Sequence, residues 1–277
     1  MSNPKSLKKY SIVVAHPDDE ILWASSLLIN AENIIICYSS VPNNKKLTIA
    51  RKKIKDNYPI SKVIFLDIEQ ASHSIIPTDW QSGETTKFGM KYGRSFNEYK
   101  NNYFLLIQKL ENLLSKVDLV YTHNPWGEYG HPEHIQVNYV VVELAKKIGF
   151  DVWVSGYVSK ETFLMMEKNK GFLDLNPKIL RTNIELYKKL KDLYDYFGCW
   201  TYYEYVPPTF DIFYKLNNKI TNDNFPNKTL MLNNINIEES TVKKKLYLSF
   251  SLWYKFLFLI RLYRNLKKVI FLKLKIR

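Results

Sequence analysis

Four of the five histidines lie in two short polar stretches more than a hundred residues apart. Ala15 to Glu20 reads AHPDDE and holds His16, Asp18 and Asp19, while His123 to His134 reads HNPWGEYGHPEH and holds His123, His131 and His134. Imidazole with carboxylate is a donor set for zinc, and three protein donors with a fourth position left open mark a catalytic rather than a structural site. His131 and His134 stand three apart in what reads as the first turn of a helix, so their side chains point to roughly the same side. If both held metal the site would be rich in histidine; if one does, the other is left for proton transfer or charge stabilisation. The sequence leaves that choice open. The plain rival is that each is a surface or packing histidine.

Two strands must position these residues. Ser11 to Ala15 is a short apolar, β-branched run that ends where the polar residues begin, and Asp118 to Thr122 ends directly at His123. Pro17 fixes φ and biases His16 toward an extended backbone. Asp18, Asp19 and Glu20 then open a segment to about Asn30 in which first-turn carboxylates face the positive end of a helix. Further strands read at Asn33 to Ser40, Lys62 to Asp67 and Val152 to Val158, with helices at Lys46 to Tyr58, Glu98 to Lys116, His134 to Gly149 and Glu185 to Phe197. Apolar strands alternating with helices predict right-handed βαβ units and a mostly parallel sheet, whose C-terminal strand ends share one edge where ligands bind. Residues 68 to 98 break the rhythm with Pro77, Gly83, Gly89 and Gly93, and read as a substrate-facing wall or lid carrying Trp80, Phe88, Glu84, Lys91 and Arg94. Thr201 to Lys215, interrupted by Pro207 and Pro208, cannot be one uninterrupted element, and residues 217 to 240 are Asn-rich and read as loop.

A chain of 277 residues, 46% hydrophobic and with 20 tyrosines, is folded rather than disordered. Two cysteines, Cys37 and Cys199, give no disulfide framework, and the N-terminus carries no signal-peptide pattern, so a cytoplasmic setting is expected. The net charge of +13 is concentrated in residues 241 to 277, which hold eleven Lys or Arg and no Asp or Glu; taking those from the 40 basic residues leaves 29 against 27 acidic ones. A nearly neutral body argues against nucleic acid as its partner. The division expected is a domain at 1 to 240 and a basic, apolar tail at 241 to 277. Leu246 to Tyr263 is apolar and aromatic but interrupted by Lys255 and Arg261, which speaks against a full transmembrane span and for a segment lying at an anionic membrane surface. Packing against the chain's own domain or a second subunit is the bland alternative.

AHPDDE at Ala15 to Glu20 together with YGHPEH at Tyr129 to His134 resembles the PIG-L or LmbE-like family of zinc-dependent N-deacetylases, which includes the GlcNAc-phosphatidylinositol and mycothiol-pathway deacetylases. The resemblance covers residues 10 to about 160. It implies a Rossmann-like, three-layer α/β fold, one zinc ion held by His16, Asp19 and His134, and Asp18 as general base. It also gives His131 a role in stabilising or protonating the reacting oxygen or leaving nitrogen, and places Tyr129 near the reacting carbonyl. A partner that keeps His131 protonated is expected; Glu20 reads as a supporting carboxylate and Glu133 as exposed. Arg51, Trp80, Arg94, His123 and Trp126 form the set expected to touch substrate. Three departures bear on recognition: SSVPNNK at Ser39 to Lys45 replaces a Thr- and Gly-rich segment, Ile54 stands where a glutamate often follows Arg51, and FGCW at Phe197 to Trp200 replaces a Ser-Gln pair. The reaction implied is hydrolysis of the N-acetyl amide of an amino sugar or glycoconjugate, lipid-linked or nucleotide-linked, at a peripheral membrane position or in solution. The rivals are a metal hydrolase of another small amide and a non-catalytic membrane- or nucleic-acid-binding protein acting through the tail.

Overall fold

The computed structural model describes residues 8–72, 84–86, 88–91, 96–159, 162–200, 202 and 205–217. All of them belong to one unit, Met1–Leu232. The expected tail at 241 to 277 and the expected contacts Trp80 and Arg94 lie outside the described residues.

The first three strands are β1 (Tyr10–Val14), β2 (Asn33–Ser40) and β3 (Val63–Glu69), joined by α1 (Asp19–Trp23) and α2 (Lys45–Asn57). A small antiparallel hairpin follows, β4 (Glu84–Thr86) with β5 (Gly89–Lys91), and then α3 (Phe96–Leu114) leads into β6 (Leu119–Thr122). A single turn, α4 (Gly127–Gly130), precedes α5 (Pro132–Ile148) and β7 (Asp151–Ser155). The remaining elements are α6 (Phe163–Asn169), β8 (Lys178–Arg181), α7 (Ile184–Phe197) and β9 (Phe210–Lys215). The main sheet has seven strands in the order β3-β2-β1-β6-β7-β9-β8, parallel through β7 and antiparallel at β9 and β8.

Continuous apolar strands form here because both faces are covered. Along β1, Val13 faces one core with Leu106 and Leu110 of α3 and Val137 and Val141 of α5, whereas Ile12 and Val14 face the other with Ile54 of α2 and Leu190 of α7. The expected three-layer α/β architecture is therefore the one observed. Among the described residues no helix is long and apolar enough to cross a membrane.

Several local expectations differ. The helix expected to run to about Asn30 stops at Trp23, because residues distant in sequence take its next polar groups: Asp211 Oδ2 accepts the Ser26 N–H at 2.9 Å, and the Tyr205 hydroxyl donates to the Leu22 carbonyl at 2.8 Å. The excursion over 68 to 98 contains the β4–β5 hairpin, and Phe88 there packs on Tyr103 of α3 with ring centres 5.4 Å apart. Within Thr201 to Lys215 the strand β9 begins at Phe210, after the prolines, and β8 is a short, mostly exposed edge strand bearing Lys178 and Arg181.

Candidate metal centre

β1 and β6 are parallel neighbours whose following elements leave in opposite directions, β1 toward β2 and β6 toward β7. That divergence opens a crevice at their C-terminal ends, the position ligands take in open α/β sheets. His16 follows β1 by two residues and His123 follows β6 directly, while α5, starting with Pro132 in its first turn, places His134 on the same crevice.

Three donor atoms from these elements converge. His16 Nδ1 lies 3.1 Å from Asp19 Oδ2, His134 Nε2 lies 3.2 Å from the same oxygen, and the two ring nitrogens are 3.3 Å apart. The far nitrogen of each ring faces a carboxylate: His16 Nε2 donates to Glu133 Oε2 at 2.7 Å and His134 Nδ1 donates to Glu128 Oε2 at 2.9 Å. With those protons placed, His16 Nδ1 and His134 Nε2 present lone pairs to one another and to a carboxylate oxygen. Burial opposes charge on Asp19, yet His134 and His123 hold its carboxyl well below the usual carboxylate range. Electron-pair donors set face to face in this way could hold a metal ion among them. Donors about 2.0–2.1 Å from a tetrahedral ion stand about 3.3 Å apart, so the triangle has the dimensions of a zinc site with one position open. Four histidines and Asp19 group here as two overlapping clusters, His16 with His131 and His134, and Asp19 with His123 and His134.

His123 does not belong to the donor triangle, and its expected contact with substrate gives way. The ring is fully buried; Nδ1 donates to Glu128 Oε2 at 2.9 Å and Nε2 accepts the Ala15 N–H at 2.8 Å. Burial disfavours charge on the ring whereas the neighbouring Glu128 and Asp19 favour it, and the hydrogen-bond geometry decides between them. The Ala15 N–H aimed at Nε2 needs a lone pair there and fixes the ring as the neutral Nδ1–H form.

Glu133, expected to be exposed, is fully buried. Besides His16 it accepts the Ala71 N–H at 2.8 Å and the Gln70 side-chain amide at 2.6 Å. Arg51 Nη1 donates to Gln70 Oε1 at 2.8 Å, which sets the amide's orientation. Arg51 is therefore placed behind His16, in a buried chain of hydrogen bonds, and not on an open surface. Trp126 is likewise buried, with Nε1 donating to the Tyr157 carbonyl at 2.8 Å, and it packs in the core beneath the site. Glu20, Glu128 and Glu133 are all buried and hydrogen-bonded to residues of the site; of the three only Glu20 reads from the sequence as a supporting carboxylate, and nothing in the sequence marks Glu128 or Gln70.

Asp18 sits beside the donors in a left-handed conformation, φ 107 and ψ −28. Non-glycine residues adopt this region only when their surroundings enforce it. Here Glu20 Oε2 accepts the Asp18 N–H at 3.0 Å, and Glu20 Oε1 accepts the hydroxyls of Tyr194 at 2.6 Å and Tyr58 at 2.9 Å. His131 stacks on His134 with ring centres 4.5 Å apart, and its Nδ1 accepts the Glu133 N–H at 3.2 Å. Burial, then the neighbouring His134 and His16, hold this imidazole well below its usual range. The expectation of a protonated ring thus gives way to a neutral one whose proton is on Nε2. Tyr129 lies against both rings, 5.9 Å from His131 and 5.4 Å from His134.

Residues 11–145 match the PIG-L family, described as GlcNAc-PI de-N-acetylase. No curated protein sequence matches the chain. Among solved structures, the zinc-inhibited form of the teicoplanin deacetylase Orf2 is similar with a TM-score of 0.50 and 10% identity, over 76% of this chain and 100% of that one. The A40926 pseudoaglycone deacetylase Dbv21 is similar with a TM-score of 0.44 and 9% identity, over 77% and 99%. At such identity the likeness to Orf2 speaks for the fold alone. Both stretches that build the donor triangle fall inside the matched span, residues 11–145.

Proposed function

We propose that the protein is a metal-dependent N-deacetylase that hydrolyses the N-acetyl amide of an amino sugar or a conjugate of one. The observation that carries this reading is the triangle of His16 Nδ1, Asp19 Oδ2 and His134 Nε2, with Asp18 next to it in an enforced backbone conformation. Its place within a PIG-L match, and the deacetylase activity named for proteins of similar fold, support acetate as the acyl group and an amino sugar as its carrier. His16, Asp19 and His134 would hold one zinc ion, which when bound supplies Lewis acidity toward the amide carbonyl and lowers the pKa of water to about 7.

The chain's own residues do the rest. Asp18 takes the proton from the attacking water as the carbon–oxygen bond forms. His131, neutral with its proton on Nε2, donates a hydrogen bond to the carbonyl oxygen as charge develops there, a contribution whose loss typically costs roughly 3–4 kcal/mol. Asp18 then returns the proton to nitrogen as the carbon–nitrogen bond breaks, giving acetate and a free amine. Tyr129, packed over both rings, forms the wall on the carbonyl side.

The test is acetate release by zinc-loaded protein across free N-acetylhexosamines, nucleotide-linked forms and polyprenyl-linked glycans. Turnover of one class, lowered roughly 10²–10⁴-fold by Asp18→Asn with zinc retained, is the expected result. Silence across the panel with zinc bound would overturn the amino-sugar assignment and point to another small amide.

A further inference from the structure

Glu128 is the least expected residue near the site. It stands at φ 55, ψ −70 inside a four-residue turn, between Gly127 and Gly130, which also have positive φ. A bulky side chain is strained there and persists only where its surroundings over-determine it. Every polar atom of the residue is engaged. Its backbone N–H donates to Asn124 Oδ1 at 2.8 Å, its Oε1 accepts the Asn124 N–H at 3.0 Å, and its carbonyl accepts the Thr162 hydroxyl at 2.8 Å. The remaining oxygen, Oε2, accepts from two imidazoles at once, His134 Nδ1 and His123 Nδ1, each at 2.9 Å. Those rings lie nearly parallel, with centres 3.9 Å apart, and His123 Nε2 is tied to the Ala15 N–H at the end of β1.

We propose that Glu128 and His123 are positioning residues for the ion-holding edge of the site: Glu128 fixes the ring and tautomer of His134, and His123 anchors Glu128 to Ala15, at the end of the strand that leads into His16 and Asp19. A carboxylate on the far nitrogen of a ligating histidine sets ring orientation and raises its basicity, and losing such a partner typically weakens metal binding 10–100-fold. Because one oxygen serves both rings, the two supports act in series. His123 reaches His134 through Glu128 and the stacking contact, and its Nε2 also stands 3.4 Å from Asp19 Oδ2, the oxygen that His134 Nε2 faces at 3.2 Å. The inference rests on the reading of His16, Asp19 and His134 as the ion-holding set.

The experiment measures zinc affinity of the full chain by competition with a chromophoric chelator, alongside the thermal midpoint of the metal-free protein. Glu128→Gln offers one acceptor oxygen and an NH2, so one imidazole N–H loses its partner or the His134 tautomer inverts. It is expected to weaken zinc binding 10–100-fold and to shift the visible d–d bands of the cobalt(II)-loaded protein. His123→Phe weakens binding less, and the double variant is no weaker than Glu128→Gln alone, the non-additivity of groups acting in series. Glu128→Gly, in which glycine takes φ 55 without strain, gives the same loss and serves should the glutamine variant fail to fold. Leu106→Ala, a truncation in the core between α3 and α5 that removes no polar group, lowers the thermal midpoint while leaving zinc affinity and the cobalt spectrum unchanged. Unchanged zinc affinity in both Glu128 variants, additive losses in the double variant, or an equal loss in Leu106→Ala would overturn the proposal. Failure of the unaltered protein to bind zinc would instead overturn the metal reading beneath it.

Discussion

At the scale of single residues, the site is a set of hydrogen-bond assignments, and most of its chemistry follows from which nitrogen carries a proton. His131 is the clearest case. The Glu133 N–H at Nδ1 requires a lone pair there, and burial with two neighbouring imidazoles disfavours a second proton. The role proposed for the ring is therefore that of a donor and not an acid, so a side chain that keeps a donor is expected to keep part of the function. His131→Gln should retain more acetate release than His131→Ala, which loses about 10²–10³-fold in kcat; equal losses would return the ring to the role of proton source. This scale was only half legible in the sequence. The types and spacing of His16, Asp18, Asp19, His131 and His134 are local, and AHPDDE and GHPEH display them. The partners are not local: Glu133 reaches His16 across 117 residues, and Gln70 reaches Glu133 across 63. A glutamate between two functional residues looks solvated until the fold buries it.

At the scale of elements, the constraint on Asp18 comes from three helices. Glu20 in the first turn of α1 holds the Asp18 N–H, and it is held in turn by Tyr58 at the end of α2 and Tyr194 of α7. Burial raises the Glu20 pKa to about 7, although these hydroxyls and the Asp18 amide oppose the shift. An unfolded chain leaves a glutamate near 4.3. The folded state therefore binds the proton more tightly, and Glu20's contribution to stability is complete below about pH 4 and lost as pH rises through about 7. The thermal midpoint of the metal-free protein, taken relative to Glu20→Gln, should fall between pH 5 and pH 8; a difference that does not change with pH would contradict the shift. The strands and long helices were readable because β1, β2, β3 and β6 are short apolar runs, α3 shows one buried face and α5 has a helical pattern stopped by Gly149. The short α1 was not, since Asp211 and Tyr205, almost two hundred residues on, end it. β8 carries too little apolar surface to announce a strand, and β9 is defined by its pairing with β7 and β8.

At the scale of the whole molecule, the sheet order does what no single stretch can. Setting β1 beside β6 closes a gap of 107 positions between His16 and His123 and puts both polar stretches on one edge. The charge is distributed at this scale too, with a nearly neutral body and eleven basic residues in 241 to 277. Placing that stretch at an anionic surface predicts that the full chain floats with phosphatidylserine-containing vesicles, at about 1 kcal/mol per basic residue near the headgroups, and is released by 1 M salt. Equal flotation with neutral vesicles would remove the electrostatic part of the idea. The claim on which the functional account stands is that β1, α1 and α5 together hold one ion. Anomalous diffraction from a zinc-soaked crystal on either side of the zinc edge tests it most directly. The account predicts one peak per chain, about 2.0–2.2 Å from His16 Nδ1, Asp19 Oδ2 and His134 Nε2. A peak ligated by His123 in place of His16, or no peak at this edge of the sheet, would contradict it.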